Sequence, residues 1–162
     1  MRDFISRIAL IPARGGSKGI PLKNLQKVGD HSLLVRALKV AQDSNLFDEI
    51  CVSSDNAQIL EEAHNFGAQI HFLRPKSISL DTTLQAEVIS HALDFFATRD
   101  QQFETLTLLQ PTSPFRSTRD LVTAQKLFEE TGAKTLISVE DVSRFNESSL
   151  YDVPKLSKNL LV

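Results

Sequence analysis

The chain has 162 residues, of which 41% are hydrophobic and 23% charged, and its formal net charge is −2. This balance is typical of a globular domain with enough apolar material for a core, so we predict a single domain over residues 1–162. No apolar run approaches the roughly 20 residues that a membrane helix needs. The short apolar stretch near the start ends at Arg14, which excludes a secretion signal, and the lone Cys51 excludes a disulfide framework or a cysteine zinc site. We therefore expect a cytoplasmic protein without a membrane partner.

Charge is unevenly distributed along the chain. Residues 1–30 contain six basic and two acidic residues, a balance of +4 within a total of −2. A locally basic start on an acidic body favours a small anionic ligand over a nucleic acid, which would need a broad basic face.

Hydrophobic periodicity predicts strands and helices in alternation. The predicted strands are 7–13, 49–52, 69–72, 105–109 and 135–139, and the predicted helices are 32–44, 57–66, 83–97 and 117–130. Asp55 and Asp81 are the expected N-caps of the second and third helices, and Ser117–Asp120 resembles a capping box for the fourth. Residues 140–162 show no clear element and are expected to form an irregular tail.

Alternating strands and helices predict an α/β fold with three layers, α/β/α, around a mostly parallel, Rossmann-like sheet. Ligands of such sheets bind beyond the carboxyl ends of the strands. The loops expected there are 14–30, 53–56, 74–82 and 110–117, and all four carry polar residues.

The loop after the first strand has the composition of a phosphate site. Gly15, Gly16 and Gly19 let backbone N–H groups approach a phosphate, and Arg14, Lys18 and Lys23 add positive charge. The spacing matches neither the Walker pattern nor the dinucleotide fingerprint, and Pro21 disfavours a helix at the preceding residue. A nicotinamide-dependent enzyme is therefore a disfavoured alternative.

The same loop resembles a known family signature. A strand followed by Arg14, Ser17-Lys18-Gly19 and Pro21-Leu22-Lys23-Asn24 is similar to the opening of acylneuraminate cytidylyltransferases. Three further matches follow in the family's order: Val52–Asp55, Arg74-Pro75 with Asp81-Thr82, and Leu109–Arg116. The resemblance covers about residues 7–140 and implies a fold of the nucleotide-diphospho-sugar transferase type.

The resemblance implies roles for particular residues. Arg14 and Lys18 are the implied catalytic residues, which would neutralise charge on the leaving pyrophosphate. The implied nucleotide-binding residues are Arg14, Gly15, Gly16, Ser17, Lys18, Lys23, Asn24 and Arg74, and the implied sugar-binding residues are Gln110, Thr112 and Ser113. Alternatives remain open for Asn24, which could cap a local turn, and for Arg74, which could lie on the surface. Leu84 and Gln85 depart from the small polar residues that the family has after its aspartate.

The implied reaction joins CTP to a nonulosonic acid, giving a CMP-sugar and pyrophosphate, for the biosynthesis of cell-surface polysaccharide. Mg²⁺ is the implied cofactor, but the family's metal-binding aspartates lie in a later strand, beyond residue 162. The segment that builds the family's homodimer also comes later, so we expect the chain to be C-terminally incomplete and inactive as given. The alternative is a nucleotide-binding remnant or regulatory domain without turnover. The residues do not distinguish sialic, legionaminic and pseudaminic acids.

Five other side chains are assigned to structure rather than chemistry. His31, His64, His71 and His91 lack metal-ligand spacing. Cys51 lies in an apolar strand and is expected in the core.

Overall fold

A parallel sheet of three strands underlies the first part of the chain. The computed structural model describes residues 6–17, 19–139 and 160–161. The strands are β1 (Arg7–Pro12), β4 (Glu49–Ser53) and β5 (Thr105–Leu108), in the order β4-β1-β5. β1 pairs in parallel with both neighbours, with Ile8 opposite Glu49 on one side and Leu106 on the other. These three strands were predicted, each within one residue of the observed end.

Three helices accompany this sheet: α1 (Leu33–Ser44), α2 (Ala57–Asn65) and α3 (Gln85–Ala97). The chain leaves β1 towards β4 through α1 and later passes from β4 to β5, on the other side of β1, through α3. Because such crossovers are right-handed, α1 and α3 lie on opposite faces of the sheet. Ile8 and Leu10 of β1 are fully buried beside Ala92 and Phe96 of α3. The intervening β1 residues point to the other face, where α1 packs on β1 and β4.

The loop after β1 contains structure that the sequence did not indicate. A 3-10 turn spans Lys23–Leu25, preceded by Leu22 in the left-handed region at φ 46°. A short antiparallel hairpin follows, formed by β2 (Lys27–Val28) and β3 (His31–Ser32). Its tight turn is made possible by Gly29, whose φ is +68°.

The predicted third strand, residues 69–72, is wrong: the described chain there is not in a strand. The segment contacts β4 through His71, which lies 2.9 Å from Glu49, and the Arg74 N–H that follows it donates to the Ser54 carbonyl at 2.7 Å. Its apolar side chains are used for packing instead. Phe72 packs against the core cluster formed by Ile8, Leu10, Cys51, Ala92 and Phe96.

The chain divides into two compact units at Thr118 and Arg119. In the second, α4 (Thr118–Thr131) confirms the predicted fourth helix, and β6 (Ile137–Ser138) is shorter than the strand predicted at 135–139. β6 pairs antiparallel with β7 (Leu160–Leu161), so the prediction of no element after Val139 is wrong at these two residues. The rest of the predicted tail, 140–159 and Val162, lies outside the described residues. The single-domain interpretation stays a prediction.

Within the described ranges, none of the helices is both long enough and apolar enough to cross a membrane.

Candidate functional site

A cavity of about 300 Å³ opens at the carboxyl ends of β1 and β5. The strand order reverses direction between these two strands, and a reversal of this kind is where open α/β sheets bind ligands. Residues distant in sequence meet there. The predicted site residues that line the cavity are Arg14, Ser17, Lys23, Asn24, Arg74, Gln110 and Thr112.

Four of the predicted residues do not appear in that lining. Lys18 lies outside the described residues. Gly15, Gly16 and Ser113 are described but are not among the side chains that line the cavity. Ser113 instead donates its N–H to the Gln110 carbonyl at 3.2 Å and so helps to form the turn after β5.

Arg14 is paired with a carboxylate across the cavity. Its Nη1 lies 2.5 Å from Oδ1 of Asp81, and both side chains are about one-third exposed. Asp81 was predicted to cap α3, and this is wrong. The N-cap of α3 is Leu84, whose backbone N–H is accepted by Glu87 Oε2 at 2.7 Å. Asp81 therefore lies where an anionic ligand of Arg14 would bind.

Asp55 holds the glycine-rich loop in place through a hydrogen bond. Its Oδ1 accepts the Gly15 N–H at 2.9 Å. The predicted capping role of Asp55 is wrong, because Asn56 is the N-cap of α2 and its side chain accepts from the N–H groups of Gln58 and Ile59. Asn56, the next residue, was not considered as a cap from the sequence, and the fold shows that its side chain faces the helix.

Gly15 is required by packing against the start of α2. A Cβ at this position would come within 2.7 Å of the Asn56 Cβ. Gly16 and Gly19 differ, because no atom lies within 4 Å of a Cβ built on either residue. A ligand would therefore have space near the backbone at these two residues, and their binding of phosphate stays a prediction.

Arg74 is buried, although the sequence left open whether it lies on the surface. Only 4% of the residue is exposed. Its Nε donates to Ser79 Oγ at 3.0 Å, and one Nη lies 3.9 Å from Asp55 Oδ1. Burial lowers the pKa of the guanidinium, the Asp55 carboxylate raises it, and the charge of Arg14 lowers it further. Two like charges therefore meet at this cavity, each balanced by an aspartate.

Asn24 is buried, and its side-chain amide donates to the Arg14 carbonyl at 3.0 Å. This bond fixes the backbone from which the Arg14 side chain extends. The contact joins residues ten positions apart, unlike the local turn cap that was the alternative to nucleotide binding, and Asn24 also lines the cavity.

The loop after β5 is held by a residue that the sequence did not single out. Arg36 of α1 donates from Nε to the Val28 carbonyl at 2.8 Å and from Nη1 to the Pro114 carbonyl at 3.2 Å. It thereby joins the β2–β3 hairpin to the loop that carries Gln110 and Thr112. Arg36 lies in a helix of ordinary composition, so only the tertiary contact reveals this function.

His71, His91 and Cys51 show structural contacts, and His64 is exposed. His71 pairs with Glu49 at 2.9 Å, and His91 contacts the Phe72 ring edge-on. Burial raises the pKa of the Cys51 thiol to about 12, as expected for a core cysteine. No group of three or more metal-ligating side chains occurs in the described ranges.

Comparison with known proteins agrees with this geometry. The family model for cytidylyltransferases matches residues 8–158, nearly the whole chain. The chain belongs to the cytidylyltransferase family.

Individual relatives are consistent with this membership. The chain is 38% identical over 122 residues to an N-acylneuraminate cytidylyltransferase from Escherichia coli, with 75% of this chain and 28% of the relative covered. It is 35% identical over 136 residues to a CMP-N,N'-diacetyllegionaminic acid synthase from Legionella pneumophila, with coverages of 84% and 58%. The chain therefore spans less than two thirds of either relative.

Among solved structures, the fold is similar to that of a CMP:2-keto-3-deoxy-manno-octonic acid synthetase complexed with CTP, at a TM-score of 0.67. The sequence identity is 18%, and the match covers 82% of this chain and 51% of the other. Together with the parallel sheet, this match confirms the predicted three-layer α/β/α, Rossmann-like fold.

Proposed function

We propose that this chain forms the CTP-binding part of an enzyme that transfers CMP from CTP to a nonulosonic acid. One observation carries the proposal: Arg14 and Lys23 of the loop after β1 and the distant Arg74 line one cavity at the strand reversal together with Gln110 and Thr112. The family and the names of the relatives support cytidylyl transfer as the reaction.

The proposed reaction is an in-line displacement at the α-phosphorus. The anomeric hydroxyl oxygen of the sugar acid forms a bond to the α-phosphorus while the bond to the β-phosphate oxygen breaks, so that CMP-sugar and pyrophosphate form and the hydroxyl proton is released. Arg14, Ser17 and Lys23 would hold the triphosphate, with Lys18 and the backbone of Gly15 and Gly16 beside them. Cationic and N–H donors of this kind stabilise charge on the leaving pyrophosphate.

The sugar acid would bind at the loop after β5. Gln110 and Thr112 line the cavity there, Pro111 is buried, and Arg36 holds the Pro114 carbonyl. A loop held at both ends positions a substrate with little loss of freedom on binding. Ser113 is proposed to contribute at the rim. The names of the relatives make sialic and legionaminic acids the first substrates to test.

Mg²⁺ is the cofactor that we propose for the reaction, and when bound it would neutralise phosphate charge. The described residues do not fit a site of their own for it. The Asp81 carboxylate, which lines the cavity, pairs with Arg14. The Asp55 carboxylate accepts from the Gly15 N–H and lies near Arg74. What this chain itself contributes to charge neutralisation is therefore its arginine and lysine side chains. Homodimerisation and a cytoplasmic location stay predictions.

Calorimetric titration with CTP, ATP and GTP tests the nucleotide assignment directly. We expect CTP to bind preferentially and Arg14→Ala to abolish the binding without unfolding the chain, because Arg14 faces the cavity rather than the core. Losing a charged partner at a desolvated site costs about 2–5 kcal/mol. Lys39→Ala is a control, since Lys39 is exposed on α1 and pairs there with Asp43. Equal affinity for ATP and CTP would contradict the proposal.

Pyrophosphate release with Mg²⁺ and a panel of sialic, legionaminic and pseudaminic acids tests the second half. Release that depends on one of the acids supports transfer. Equal release with and without an acid would contradict transfer.

A further inference from the structure

Arg36 joins two loops at the cavity that are far apart in sequence. It lies in the first turn of α1, and its side chain is partly buried. Its Nε donates to the Val28 carbonyl at 2.8 Å, and its Nη1 donates to the Pro114 carbonyl at 3.2 Å. A Cβ built on Gly29 would lie 3.4 Å from Nη2, so the guanidinium lies against the turn of the β2–β3 hairpin. One planar group therefore contacts both loops.

The hairpin end of this bridge continues the loop after β1. Lys23 and Asn24, just before the hairpin, line the cavity. The hairpin is also held by contacts that do not involve Arg36. Its two strands pair with each other, and the Leu33 N–H of α1 donates to the Gln26 carbonyl at 3.0 Å. Loss of the Arg36 side chain should therefore leave the nucleotide side of the cavity in place.

The other end of the bridge is the loop after β5, whose residues Gln110 and Thr112 line the cavity. The Ser113 N–H donates to the Gln110 carbonyl, which fixes the shape of this turn but not its position relative to the nucleotide side. The bond from Arg36 to Pro114 supplies that second constraint, because α1 packs on β1 and β4 of the sheet. A guanidinium presents several donors in a rigid, planar arrangement and so holds two acceptors at once.

On the basis of the proposed function, we propose that Arg36 is a positioning residue that holds the sugar-acid half of the cavity in place against the nucleotide half. In-line displacement requires the anomeric hydroxyl oxygen close to the α-phosphorus and opposite the leaving pyrophosphate. Misplacement of a reacting group by about 1 Å lowers a rate by about a hundredfold. Arg36 is not among the described residues that line the cavity, so it acts through the loop after β5 rather than by contact with a substrate.

The test is calorimetric titration of the chain with CTP, CMP and CMP-N-acetylneuraminic acid. CMP lacks the sugar, so the ratio of the last two affinities measures what the sugar half adds to binding, and no turnover is needed. We expect the wild type to bind the CMP-sugar about tenfold more tightly than CMP, and Arg36→Gln to bring this ratio close to one, because the loop is no longer held in place. The affinity for CTP should change by less than about twofold.

Two further variants separate positioning from charge and from stability. Arg36→Lys keeps the positive charge and the alkyl stem but not the planar group that holds both carbonyls, so it should lose the ratio as Arg36→Gln does. Arg99→Gln is the matched control. Arg99 also donates to a backbone carbonyl, that of Phe95 at 3.0 Å, but it is exposed just after α3 and should leave the ratio unchanged. Circular dichroism fixes a temperature at which the variants are folded.

An unchanged ratio in both Arg36 variants would overturn the assignment and leave the proposed function standing, because Arg36 would then contribute to stability alone. A ratio that is lost in Arg36→Gln but kept in Arg36→Lys would overturn it in favour of charge. An equal loss of CTP affinity, or an Arg36→Lys protein that does not fold, would also overturn it. If the wild type binds the CMP-sugar no more tightly than CMP, the proposed sugar site fails and the Arg36 assignment fails with it.

Discussion

Asp55 should be a stabilising counter-charge whose removal is costly although it caps no helix. Asp55→Asn keeps the size of the side chain and an oxygen that can accept from Gly15, but it removes the negative charge beside buried Arg74. At 3.9 Å two unit charges interact by about 4 kcal/mol where the effective dielectric constant is near 20. The Asp55 side chain is 19% exposed, which weakens the interaction, so we expect a loss of about 2 kcal/mol in the free energy of unfolding.

Urea denaturation of the wild type and of three variants measures this loss. Asp55→Ala also removes the acceptor of the Gly15 N–H and should cost about 1 kcal/mol more than Asp55→Asn. Asp43→Asn is the matched control, since Asp43 forms an exposed pair with Lys39 and should change stability by less than about 0.5 kcal/mol. An Asp55→Asn protein as stable as Asp43→Asn would show that Asp55 and Arg74 do not interact as the reasoning requires.

Three further predictions follow from the same contacts. Gly15→Ala should destabilise the fold by about 1–3 kcal/mol because its Cβ would overlap a neighbouring side chain, whereas Gly16→Ala should stay within about 0.5 kcal/mol in the same denaturation assay; equal effects would contradict the packing argument. Asp81→Asn should tighten CTP binding severalfold by calorimetry, because the Arg14 guanidinium is released for phosphate; weaker binding would refute competition between the two. Burial lowers the pKa of His91, and a nearby arginine charge lowers it further, so the unfolded chain takes up this proton near pH 6.5 while the folded chain does so only at lower pH. The free energy of unfolding should therefore fall as the pH drops below about 7, and His91→Leu should show a smaller fall; parallel pH profiles would rule this out.

The sequence by itself determined the order of elements and the fold class. The spacing of apolar residues predicted β1, β4 and helices with one apolar face such as α1. Burial of one face of a helix or strand requires apolar residues at fixed intervals, whatever the element packs against. The loops at the carboxyl ends were predictable for the same reason, since parallel strands bring those ends together. The sequence therefore indicated that Arg14 and Lys23 supply positive charge at this edge of the sheet, but it did not show that both line one cavity.

The sequence also suggested elements that did not form. Residues 69–72 have the composition of a strand, but a strand exists only where a neighbouring edge supplies a ladder of hydrogen bonds. Phe72 instead packs against the core cluster between β1, β4 and α3. Amino-acid composition indicates that apolar side chains must be buried, but it does not specify which neighbouring element they pack against.

Only the tertiary structure decided the partners of the polar side chains. Asp55 and Asp81 looked like helix caps because aspartate before a helix usually is one. In the fold, each lies closer to a cationic or N–H partner from another segment: Asp55 to Gly15, and Asp81 to Arg14. Hydrogen bonds and ion pairs depend on distances of a few ångströms between residues far apart in the chain, and local sequence does not specify those distances.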